Sequence, residues 1–536
     1  MPLIPHQQRV HPILNVKAAL KNGSNNTLST ERKPSRILQL RRAIRLDNIK
    51  NWFQQNLRNY CDTTSLHGIS YMTRANISQN ERIFWIIVVI VSIIVSIVLV
   101  IVSWMWNRET PTVTVIESSH FPTWNIPFPA VTICSFNKIS KMKIMTLATK
   151  MQRPANVSMT KLLELLHITM YFSFSLNFSR EDFDLVDNIL QQNNYTVRQL
   201  GHELAPNCMD MITKCIWKGT NARCDSLFQR INTTEGVCCS FNYFGQPTNN
   251  FPAKIAYQVP KQPYRVTGCG YPTGLSVLLD TDPDDYFATY FNSFGFRLLI
   301  HDAYDFPDEN AETKVVTLTR ESFVRINPEA TYATEDVKDM EPKVRNCLFA
   351  NERRLKGMQR YSFVNCMSEC RMELIFKRCG CIPVNLPNNG TYPICEAKRI
   401  YCVMKNRDIF IRALPNMATT LSMVKDTKEF PCNCMPDCES NNYPAEITMG
   451  HLNINATNSP FCSGSAPDAL DNILLHVFFS DLMSTRYRME SFQNWLSALA
   501  SFGGLLGLIM GFSIVTAFEF FYFLTFRPIF NYYSDS

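Results

Sequence analysis

The sequence has little of what an enzyme needs. Its 536 residues include only nine histidines, which are scattered along the chain. No H-E-x-x-H metalloprotease motif occurs, and residues 107–494 contain no G-x-S-x-G nucleophile elbow. The stretch "GCGYPTG" (268–274) lacks the glycine spacing of a dinucleotide-binding loop. We therefore predict that the protein is not an enzyme and holds no catalytic residue, cofactor or metal.

Charge is also missing from two long stretches. Residues 83–106 carry none, and this length suffices to cross ~30 Å of hydrocarbon. Residues 495–526 carry only Glu519. A straight helix of this second length would reach roughly 48 Å at ~1.5 Å per residue. The second stretch is therefore expected to tilt, to project from the bilayer or to be broken.

The N-terminal segment lacks the short apolar core of a secretory signal. Residues 1–82 contain 13 Lys and Arg against 4 Asp and Glu, a net of +9, whereas the whole chain carries +7. Positive charge beside a first span predicts a cytoplasmic N-terminus and contact with lipid headgroups rather than nucleic acid. Residues 107–494 then lie outside the cell, and the tail 527–536 lies inside, in a multi-pass protein of the plasma membrane.

Cysteine usage agrees with this topology. Of 19 cysteines, only Cys61 precedes the first span, and the other 18 lie between Cys134 and Cys462. An even number in an oxidising compartment allows up to nine disulfides. The clusters "CGCIP" and "CNCMPDC" have no accompanying histidine, which favours disulfides over metal binding. Six glycosylation acceptors are predicted in the same region: Asn156, Asn177, Asn194, Asn232, Asn389 and Asn455.

The predicted ectodomain is α+β. Alternating apolar and polar residues after the first span predict strands, and apolar residues at helical spacing predict a helical, finger-like insert over residues 140–235. Four further stretches predict a return to strands: "CCSFNYF", "TGLSVLLD", "FGFRLLIHD" and "ETKVVTLTRESFVRI". Residues 347–438 form a cysteine-rich region. The acidic loop "DTDPDDY" (280–286) lacks the spacing of an EF-hand, so a solvated loop is favoured over a cation site.

The second apolar stretch has two unusual properties. Ala500, Gly504, Gly507 and Gly511 fall within about 60° of one another around a helix, and a small face of this kind favours close helix packing in a membrane anchor. Glu519 argues against a simple anchor, because a carboxylate in a span costs ~2.5–3.5 kcal/mol and usually faces water or a partner.

Between the small face and the carboxylate lies Gly511-Phe512-Ser513. This tripeptide offers backbone carbonyls and a hydroxyl at a point where the helix can unwind. Such oxygens replace the hydration shell of a cation in selectivity filters. One helix cannot enclose a pore, so several chains are needed.

Six motifs carry a family resemblance. Two of them flank the first span: "SLHGISYM" before it and "FPAVTICSFNK" after it. Two lie in the cysteine-rich region before Tyr443: "YSFVNCMSECRMELIFKRCGCIPVNLP" and "CNCMPDC". The last two, "GLLGLIMGFS" and "EFFYFLTFRPI", lie in and at the end of the second span. Together they resemble the degenerin, epithelial sodium channel and acid-sensing channel superfamily, and most of all its insect pickpocket branch. Residues 140–235 match poorly.

The resemblance implies a trimer of identical or related subunits around one pore. Each subunit would have two transmembrane helices and a disulfide-rich α+β ectodomain made of a β palm and ball with a helical finger, thumb and knuckle. It also implies an amiloride-sensitive channel that prefers Na⁺ as its permeant ion. Gly511, Phe512 and Ser513 would form the filter, and Glu519 a ring of carboxylates below it.

Further roles come from the same resemblance. His67 and Gly68 would lie on a re-entrant loop beneath the filter, and Ala500 would occupy a gating position where a small side chain permits closing. Phe512 is bulkier than the residues common at the middle of the filter. Cys134 would pair with Cys238 or Cys239. The cysteine-rich region would contain the nested pairs Cys347–Cys438, Cys366–Cys434, Cys370–Cys432, Cys379–Cys402 and Cys381–Cys395.

Two other functions compete with a conducting subunit. A non-conducting accessory or receptor subunit would need a related partner to carry current. A trimeric ATP-gated channel shares the two spans, but that class lacks the C-x-C-x₃-C and Gly-x-Ser patterns found here. The gating stimulus and ligand, the choice between homomer and heteromer, and the pairing of Cys208, Cys215, Cys224, Cys239, Cys269 and Cys462 stay open.

Overall fold

The structure is a computed structural model of the 536-residue chain. It describes residues 54–75, 77–167, 178–246, 262–289, 291–412, 431–453, 461, 471–492, 494–527 and 529–530. The chain divides into two compact units. The helical unit falls within Met1–Ser103 and Leu499–Ser536, and the disulfide-rich unit falls within Trp104–Ala498.

All strands in the described residues belong to the disulfide-rich unit. They are β1 Thr112–Pro122, β2 Ala130–Ser135, β3 Asn137–Ser140, β4 Ile212–Trp217, β5 Thr220–Ala222, β6 Phe228–Thr233, β7 Gly236–Phe241, β8 Leu275–Asp280, β9 Tyr286–Thr289, β10 Gly295–His301, β11 Glu312–Thr317, β12 Arg320–Ile326, β13 Glu329–Ala333, β14 Ser440–Asn442, β15 Ala445–His451, β16 Asn472–Phe479 and β17 Met483–Ser491.

These strands form four sheets. The strand orders are β15-β12-β16-β8-β4-β5, β11-β10-β2-β7-β6, β1-β17-β13-β14 and β3-β9. Most neighbours are antiparallel, but β12 pairs parallel with β16, and β13 pairs parallel with β17. Both parallel pairs, β12 with β16 and β13 with β17, join strands roughly 140 residues or more apart in the chain, and the mostly antiparallel sheets with separate helices correspond to the expected α+β class.

The main hydrophobic core lies between the six-stranded and five-stranded sheets. Alternate residues of strands in both sheets belong to one buried cluster, as the two-residue period of a strand requires. On β10 and β16 these residues are Phe296, Leu298, Ile300, Ile473, Leu475 and Val477. Burying each large apolar side chain contributes about 1.5–3 kcal/mol, so this core is the main source of stability in the unit.

The described α-helices of five or more residues with both ends defined are numbered in chain order, and a π-helix at Tyr522–Phe526 follows the last of them. They are α1 Ile69–Thr73, α2 Gln79–Glu109, α3 Lys141–Lys150, α4 Met159–Leu166, α5 Arg180–Gln192, α6 Val197–Leu204, α7 Phe363–Cys379, α8 Ala397–Lys405, α9 Arg407–Ile411, α10 Trp495–Met510 and α11 Ile514–Phe521. Residues 54–63 are also helical.

Helices α3 to α6 pack with α7 and α8 around a second core. Helix α5 shows why this segment is helical. Phe183, Val186, Ile189 and Leu190 recur at helical spacing and are buried, and Ser179 begins the helix with a capping box. The sequence pattern predicts this helix, and the structure has it.

The helical insert is shorter than the sequence pattern predicts. Residues 212–217, 220–222 and 228–233, at the end of the expected range 140–235, form strands β4, β5 and β6. Strand β4 pairs with β8 and buries Trp217 in the main core. A disulfide between Cys215 and Cys224 closes the β4–β5 hairpin. Tertiary pairing with a strand about 60 residues away, rather than local periodicity, thus decides this segment.

Eight disulfides join 16 of the cysteines in the disulfide-rich unit. They are Cys134–Cys238, Cys208–Cys239, Cys215–Cys224, Cys347–Cys438, Cys366–Cys434, Cys370–Cys432, Cys379–Cys402 and Cys381–Cys395. The five nested pairs are those that the resemblance implies, and of the two partners left open for Cys134 the structure has Cys238. Cys269 is unpaired, and Cys462 lies outside the described residues.

Candidate functional site at the break in the second apolar helix

Two helical segments have the length and composition of membrane spans. Helix α2, with 31 residues, is apolar enough to cross a bilayer by itself. Helix α10 and residues 514–526 meet the same criterion only as a pair, which bends by 70° at the break between them. Of the three outcomes expected for the second stretch, the structure has the break.

Helix α10 ends because Gly511 adopts a left-handed conformation. Its φ is +68°, which favours glycine strongly, and a left-handed glycine is a common helix terminator. The Gly511 N–H still reaches the Gly507 carbonyl at 2.9 Å, and the Phe512 N–H reaches the Leu506 carbonyl at 3.3 Å. Residues 511–513 then lie outside both helices. The Ser513 carbonyl accepts the Ala517 N–H at 3.1 Å, the first hydrogen bond of α11, whereas the Gly511 carbonyl oxygen lies 3.4 Å from the Thr516 hydroxyl.

Helix α11 begins immediately afterwards, with Ser513 as its N-cap. The Thr516 N–H donates to Ser513 Oγ at 3.2 Å, and the Ser513 N–H donates to Thr516 Oγ1 at 3.2 Å. This reciprocal capping box satisfies two donors that a helix start leaves unpaired. The glycine and the serine of the expected filter therefore have separate local tasks, one ending a helix and the other starting the next.

The segment before helix α2 packs against the break. The His67 N–H donates to the Met510 carbonyl at 2.9 Å, which satisfies one of the last carbonyls of α10. A Cβ at Gly511 would lie 2.8 Å from His67 Cδ2 and Nε2, too close for any side chain. Gly68, with φ +84°, follows directly, and a Cβ there would approach Val89 of α2 to 3.0 Å. The structure thus brings His67 to Gly511, two residues that lie 444 positions apart.

Glu519 contacts the same segment. Its Oε2 accepts from the Ser65 N–H at 3.3 Å and from Ser65 Oγ at 3.1 Å. One turn earlier on α11, Thr516 is almost fully buried, and its Oγ1 lies 3.1 Å from Ser65 Oγ. Within the chain, Glu519 is therefore a hydrogen-bond acceptor for the loop that carries His67.

Aromatic packing holds the helix before this loop. The Tyr60 ring meets Phe520 and Phe523 edge to face, with centroids 5.7 and 5.6 Å apart. Such contacts stabilise by about 0.5–1.5 kcal/mol each beyond the area they bury. Residues 54–68 are thus fixed to α11 by apolar contacts on one side and by the Glu519 hydrogen bonds on the other.

Phe512 lies within the break, and the other predicted site residues lie apart from this cluster. Ala500 is exposed on α10, about 16 Å before Gly511 along the helix axis. The Phe512 side chain is 41% exposed. Of the glycosylation acceptors, Asn156, Asn194 and Asn389 are exposed, and Asn232 is half-buried on β6. Asn177 and Asn455 lie outside the described residues.

Sequence reasoning missed Ser65, Thr516 and Tyr60. A signal exists for Thr516, because a hydroxyl residue three positions after Ser513 matches the spacing of a capping box. Ser65 lies two residues before His67. No pattern within either segment indicates that it would meet Glu519, because the contact joins the two ends of the chain.

The disulfide-rich unit contains a hydrogen-bonded Ser–His–Glu chain. Ser276 Oγ lies 2.7 Å from His476 Nδ1, and Glu321 Oε1 lies 3.2 Å from His476 Nε2. Burial lowers the pKa of His476, against the opposing effect of Glu321. Ser276 is 4% exposed, so no substrate reaches its hydroxyl. These residues satisfy one another within the sheet and do not form a hydrolase site.

The acidic loop also has a structural role. Asp285 Oδ1 accepts from Ser140 Oγ at 2.9 Å and from the Met142 N–H at 2.8 Å, at the beginning of α3. A carboxylate is favourable there because helix N-termini carry unpaired N–H groups. In the part of the chain that the structure describes, no group of three or more His, Cys, Asp or Glu side chains is arranged to hold a metal ion.

Comparison with known proteins identifies the family. Residues 60–523 match the sequence profile of the family described as "Amiloride-sensitive sodium channel". "Sodium channel protein Nach" of Drosophila ananassae is 28% identical over 487 residues, which cover 90% of this chain and 89% of that protein. "Pickpocket protein 11" of Drosophila melanogaster is 27% identical, covering 88% of this chain and 76% of that protein. "Acid-sensing ion channel 4" of Rattus norvegicus is 23% identical, covering 87% of this chain and 78% of that protein. The match spans both apolar helices and the disulfide-rich unit, and the chain belongs to the amiloride-sensitive sodium channel family.

Proposed function

We propose that this chain is a subunit of a trimeric, amiloride-sensitive cation channel of the plasma membrane that prefers Na⁺ and is gated through its ectodomain. Family membership supports a channel subunit, with the disulfide-rich unit as its ectodomain. The observation that carries the finer proposal is the break at residues 511–513, where an apolar helix loses its internal hydrogen bonds between a left-handed glycine and a serine cap.

In this proposal, α2 and the broken pair α10–α11 cross the membrane, with both termini in the cytoplasm. Three copies of the break would surround one pore. The carbonyl oxygen of Gly511 and the hydroxyl of Ser513 would replace part of the hydration shell of a permeating Na⁺. Phe512 would point away from the ion path, so that its bulk does not obstruct it.

The other predicted residues have supporting roles. His67 and Gly68 would hold the break from below, since the backbone of His67 binds the last carbonyl of α10. Glu519 would add negative charge near the filter and raise the local cation concentration. Ala500 would lie at the gate, where a small side chain lets neighbouring helices approach. The channel needs no cofactor, and its partners would be copies of itself or related subunits within lipid.

The proposal is tested by expressing the chain in cells without related channels and recording under voltage clamp. We expect a current that reverses at more positive potentials in external Na⁺ than in K⁺ and is blocked by amiloride. Silence alone, with current only beside a related subunit, would support the accessory function. Silence with every related subunit, despite normal surface expression, would contradict a channel role.

Two substitutions test the residue assignments in the same cells. Ser513→Cys should change the Na⁺/K⁺ preference or the single-channel conductance, because it replaces an oxygen ligand by sulfur. Ala500→Phe should raise the resting current by preventing closure. An unchanged current in either variant, at equal surface expression, would show that the filter or the gate lies elsewhere. Lys150→Gln, at an exposed site in the disulfide-rich unit, is the control.

A further inference from the structure

The Thr516 hydroxyl lies at the centre of the polar groups around the break. Its Oγ1 is 3.0 Å from Ser513 Oγ, 3.1 Å from Ser65 Oγ and 3.4 Å from the Gly511 carbonyl oxygen. A threonine hydroxyl has one proton and two acceptor lone pairs. Since one lone pair already accepts the Ser513 N–H, the direction of the remaining hydrogen bonds depends on the neighbours of Thr516.

Glu519 fixes that direction. An ionised carboxylate only accepts hydrogen bonds, and a hydroxyl that donates to a carboxylate forms a stronger bond than one that donates to another hydroxyl. Ser65 Oγ, at 3.1 Å from Glu519 Oε2, therefore uses its single proton on Glu519. Toward Thr516 it has only lone pairs left, so Thr516 is the donor in that bond. The other acceptor within reach of the Thr516 proton, the Gly511 carbonyl oxygen, is farther away at 3.4 Å, against 3.1 Å for Ser65 Oγ.

The same reasoning extends to Ser513. With its proton directed at Ser65, Thr516 can only accept from the Ser513 hydroxyl at 3.0 Å. The hydroxyl protons of Ser513, Thr516 and Ser65 then all point toward Glu519. A chain of this kind is cooperative, because each bond polarises the next.

We propose that Ser65 is a positioning residue that completes this directed hydrogen-bond chain and thereby sets the ion preference of the break. The chain turns the Ser513 proton toward Thr516 and leaves an oxygen lone pair of Ser513 available to a cation. It also draws the Thr516 proton from the longer bond to the Gly511 carbonyl, at 3.4 Å, toward Ser65, and so leaves free the other oxygen that would meet the ion. The inference rests on the proposed function, in which these two oxygens bind the permeating cation.

Glu519 acquires a second role from this geometry. If Glu519 acted only through the electric field of its charge, Glu519→Gln and Glu519→Ala would have the same effect, because both remove the charge. In the directed chain, the amide oxygen of Glu519→Gln still accepts from Ser65, whereas Glu519→Ala removes the acceptor. The two variants therefore separate the field of the carboxylate from its hydrogen bond.

The test compares permeability ratios of Ser65 variants at equal surface expression. Ser65→Ala should lower the Na⁺/K⁺ permeability ratio roughly two- to tenfold, the effect of one lost hydrogen bond. Ser65→Thr keeps the hydroxyl and should restore the ratio. Glu519→Ala should lower the permeability ratio as much as Ser65→Ala does, and the double variant should lower it no further than either single variant. Glu519→Gln should lower the ratio less.

Thr63→Ala is the matched control. Thr63 lies two positions from Ser65, and its hydroxyl donates to the Asn59 carbonyl of its own helix at 2.8 Å; among the described residues it forms no hydrogen bond with α11. Its substitution should leave the permeability ratio unchanged. If Thr63→Ala shifts the ratio as far as Ser65→Ala does, the effect comes from general loosening of the segment, and the proposed chain is wrong.

A second measurement does not depend on current. In a Cys61→Ser background, Ser65→Cys combined with Thr516→Cys replaces two hydroxyl oxygens that lie 3.1 Å apart by sulfur. The pair should form a disulfide on mild oxidation, which removes two reactive thiols from maleimide labelling of the solubilised protein. Two thiols that stay reactive would contradict the contact on which the chain depends.

The outcomes separate this inference from the proposed function. A Na⁺ current that changes with Ser513→Cys but not with Ser65→Ala would overturn the inference and leave the proposed function standing. The absence of any current from the unmodified chain, with and without related subunits, would overturn the proposed function and this inference with it.

Discussion

Helices α5 and α11 begin with the same local chemistry but depend on it differently. Each has a serine N-cap and a reciprocal capping box, formed with Asp182 in α5 and with Thr516 in α11. Helix α5 buries four apolar residues in a large core, so its cap adds to packing that already exists. Helix α11 follows a break in an apolar segment. There the capping box and the loop at Ser65 and His67 supply hydrogen-bond partners for the polar groups that the break leaves without helical partners.

Covalent bonding differs between the two units as well. Eight disulfides tie the disulfide-rich unit, whereas the described part of the helical unit contains only the unpaired Cys61. Single hydrogen bonds contribute about 0.5–1.5 kcal/mol each, far less than a core or a disulfide. Substitutions in the disulfide-rich unit should therefore change stability, and those at the break should change conduction. The following experiments test this comparison, from the largest expected effect to the smallest.

Removing a long-range disulfide should have the largest effect. Cys134–Cys238 closes a loop of 104 residues, and both cysteines are fully buried. Replacing both by Ala should cost about 4 kcal/mol, because the unfolded chain gains loop entropy. The matched control, Cys215→Ala with Cys224→Ala, opens a separation of only 9 residues and should cost about 2–3 kcal/mol. Thermal unfolding of the solubilised protein measures both, and a larger loss in the control would contradict the prediction.

Acid should destabilise the disulfide-rich unit through His301. Burial lowers the pKa of this side chain to about 4, and its ring lies between Thr132 Oγ1 and the Asp302 carbonyl, 2.9 Å from each. The unfolded chain protonates at pKa ~6.5, so the stabilisation is complete above that pH and is lost as pH falls toward 4. The shift corresponds to about 3 kcal/mol.

Stability measured between pH 7 and pH 4 checks this prediction. His301→Gln retains polar atoms for the two partners but does not titrate, so its stability should depend less on pH over this interval. An equally steep fall in the variant would show that other groups control the acid sensitivity.

At the break, Gly511→Ala should reduce or abolish the current. A left-handed backbone costs a non-glycine residue about 1–2 kcal/mol, and the added Cβ would collide with the His67 ring 2.8 Å away. Gly503→Ala is the control on the same helix, since a Cβ there meets nothing within 4 Å in the chain. Currents and surface expression of the two variants are compared. An equal loss in Gly503→Ala would indicate that helix packing between subunits, rather than the break, is sensitive.

The two capping serines give the smallest and most direct comparison. Ser179→Ala should cost about 1 kcal/mol of stability, the usual value of a helix cap, and leave ion preference unchanged. Ser513→Ala should change stability little, because the cores of the disulfide-rich unit are intact, but should alter ion preference. Thermal unfolding and reversal potentials are measured for both. If Ser179→Ala shifts the reversal potential as far as Ser513→Ala, the distinction between the two regions fails.

Local patterns predict the features that depend on neighbouring residues. Helical spacing predicts α5 at Arg180–Gln192, and the stretches "TGLSVLLD" and "FGFRLLIHD" predict strands, which the structure has as β8 and β10. Glycine and serine around Phe512 point to a break in a helix too long to span straight. The same approach fails at β4, because Ile212–Trp217 gains its partner from β8 on the far side of several loops.

The sequence by itself determines the two apolar segments, the even set of cysteines between Cys134 and Cys462, and the tripeptide at the break, because hydropathy, redox chemistry and backbone preference act locally. Only the tertiary structure decides that the partner of Cys134 is Cys238, that Gly511 faces His67, and that Ser65 meets Glu519. Such contacts join residues 104 to 454 positions apart. Their physical cause is the packing of whole elements against one another, which no short stretch of sequence contains.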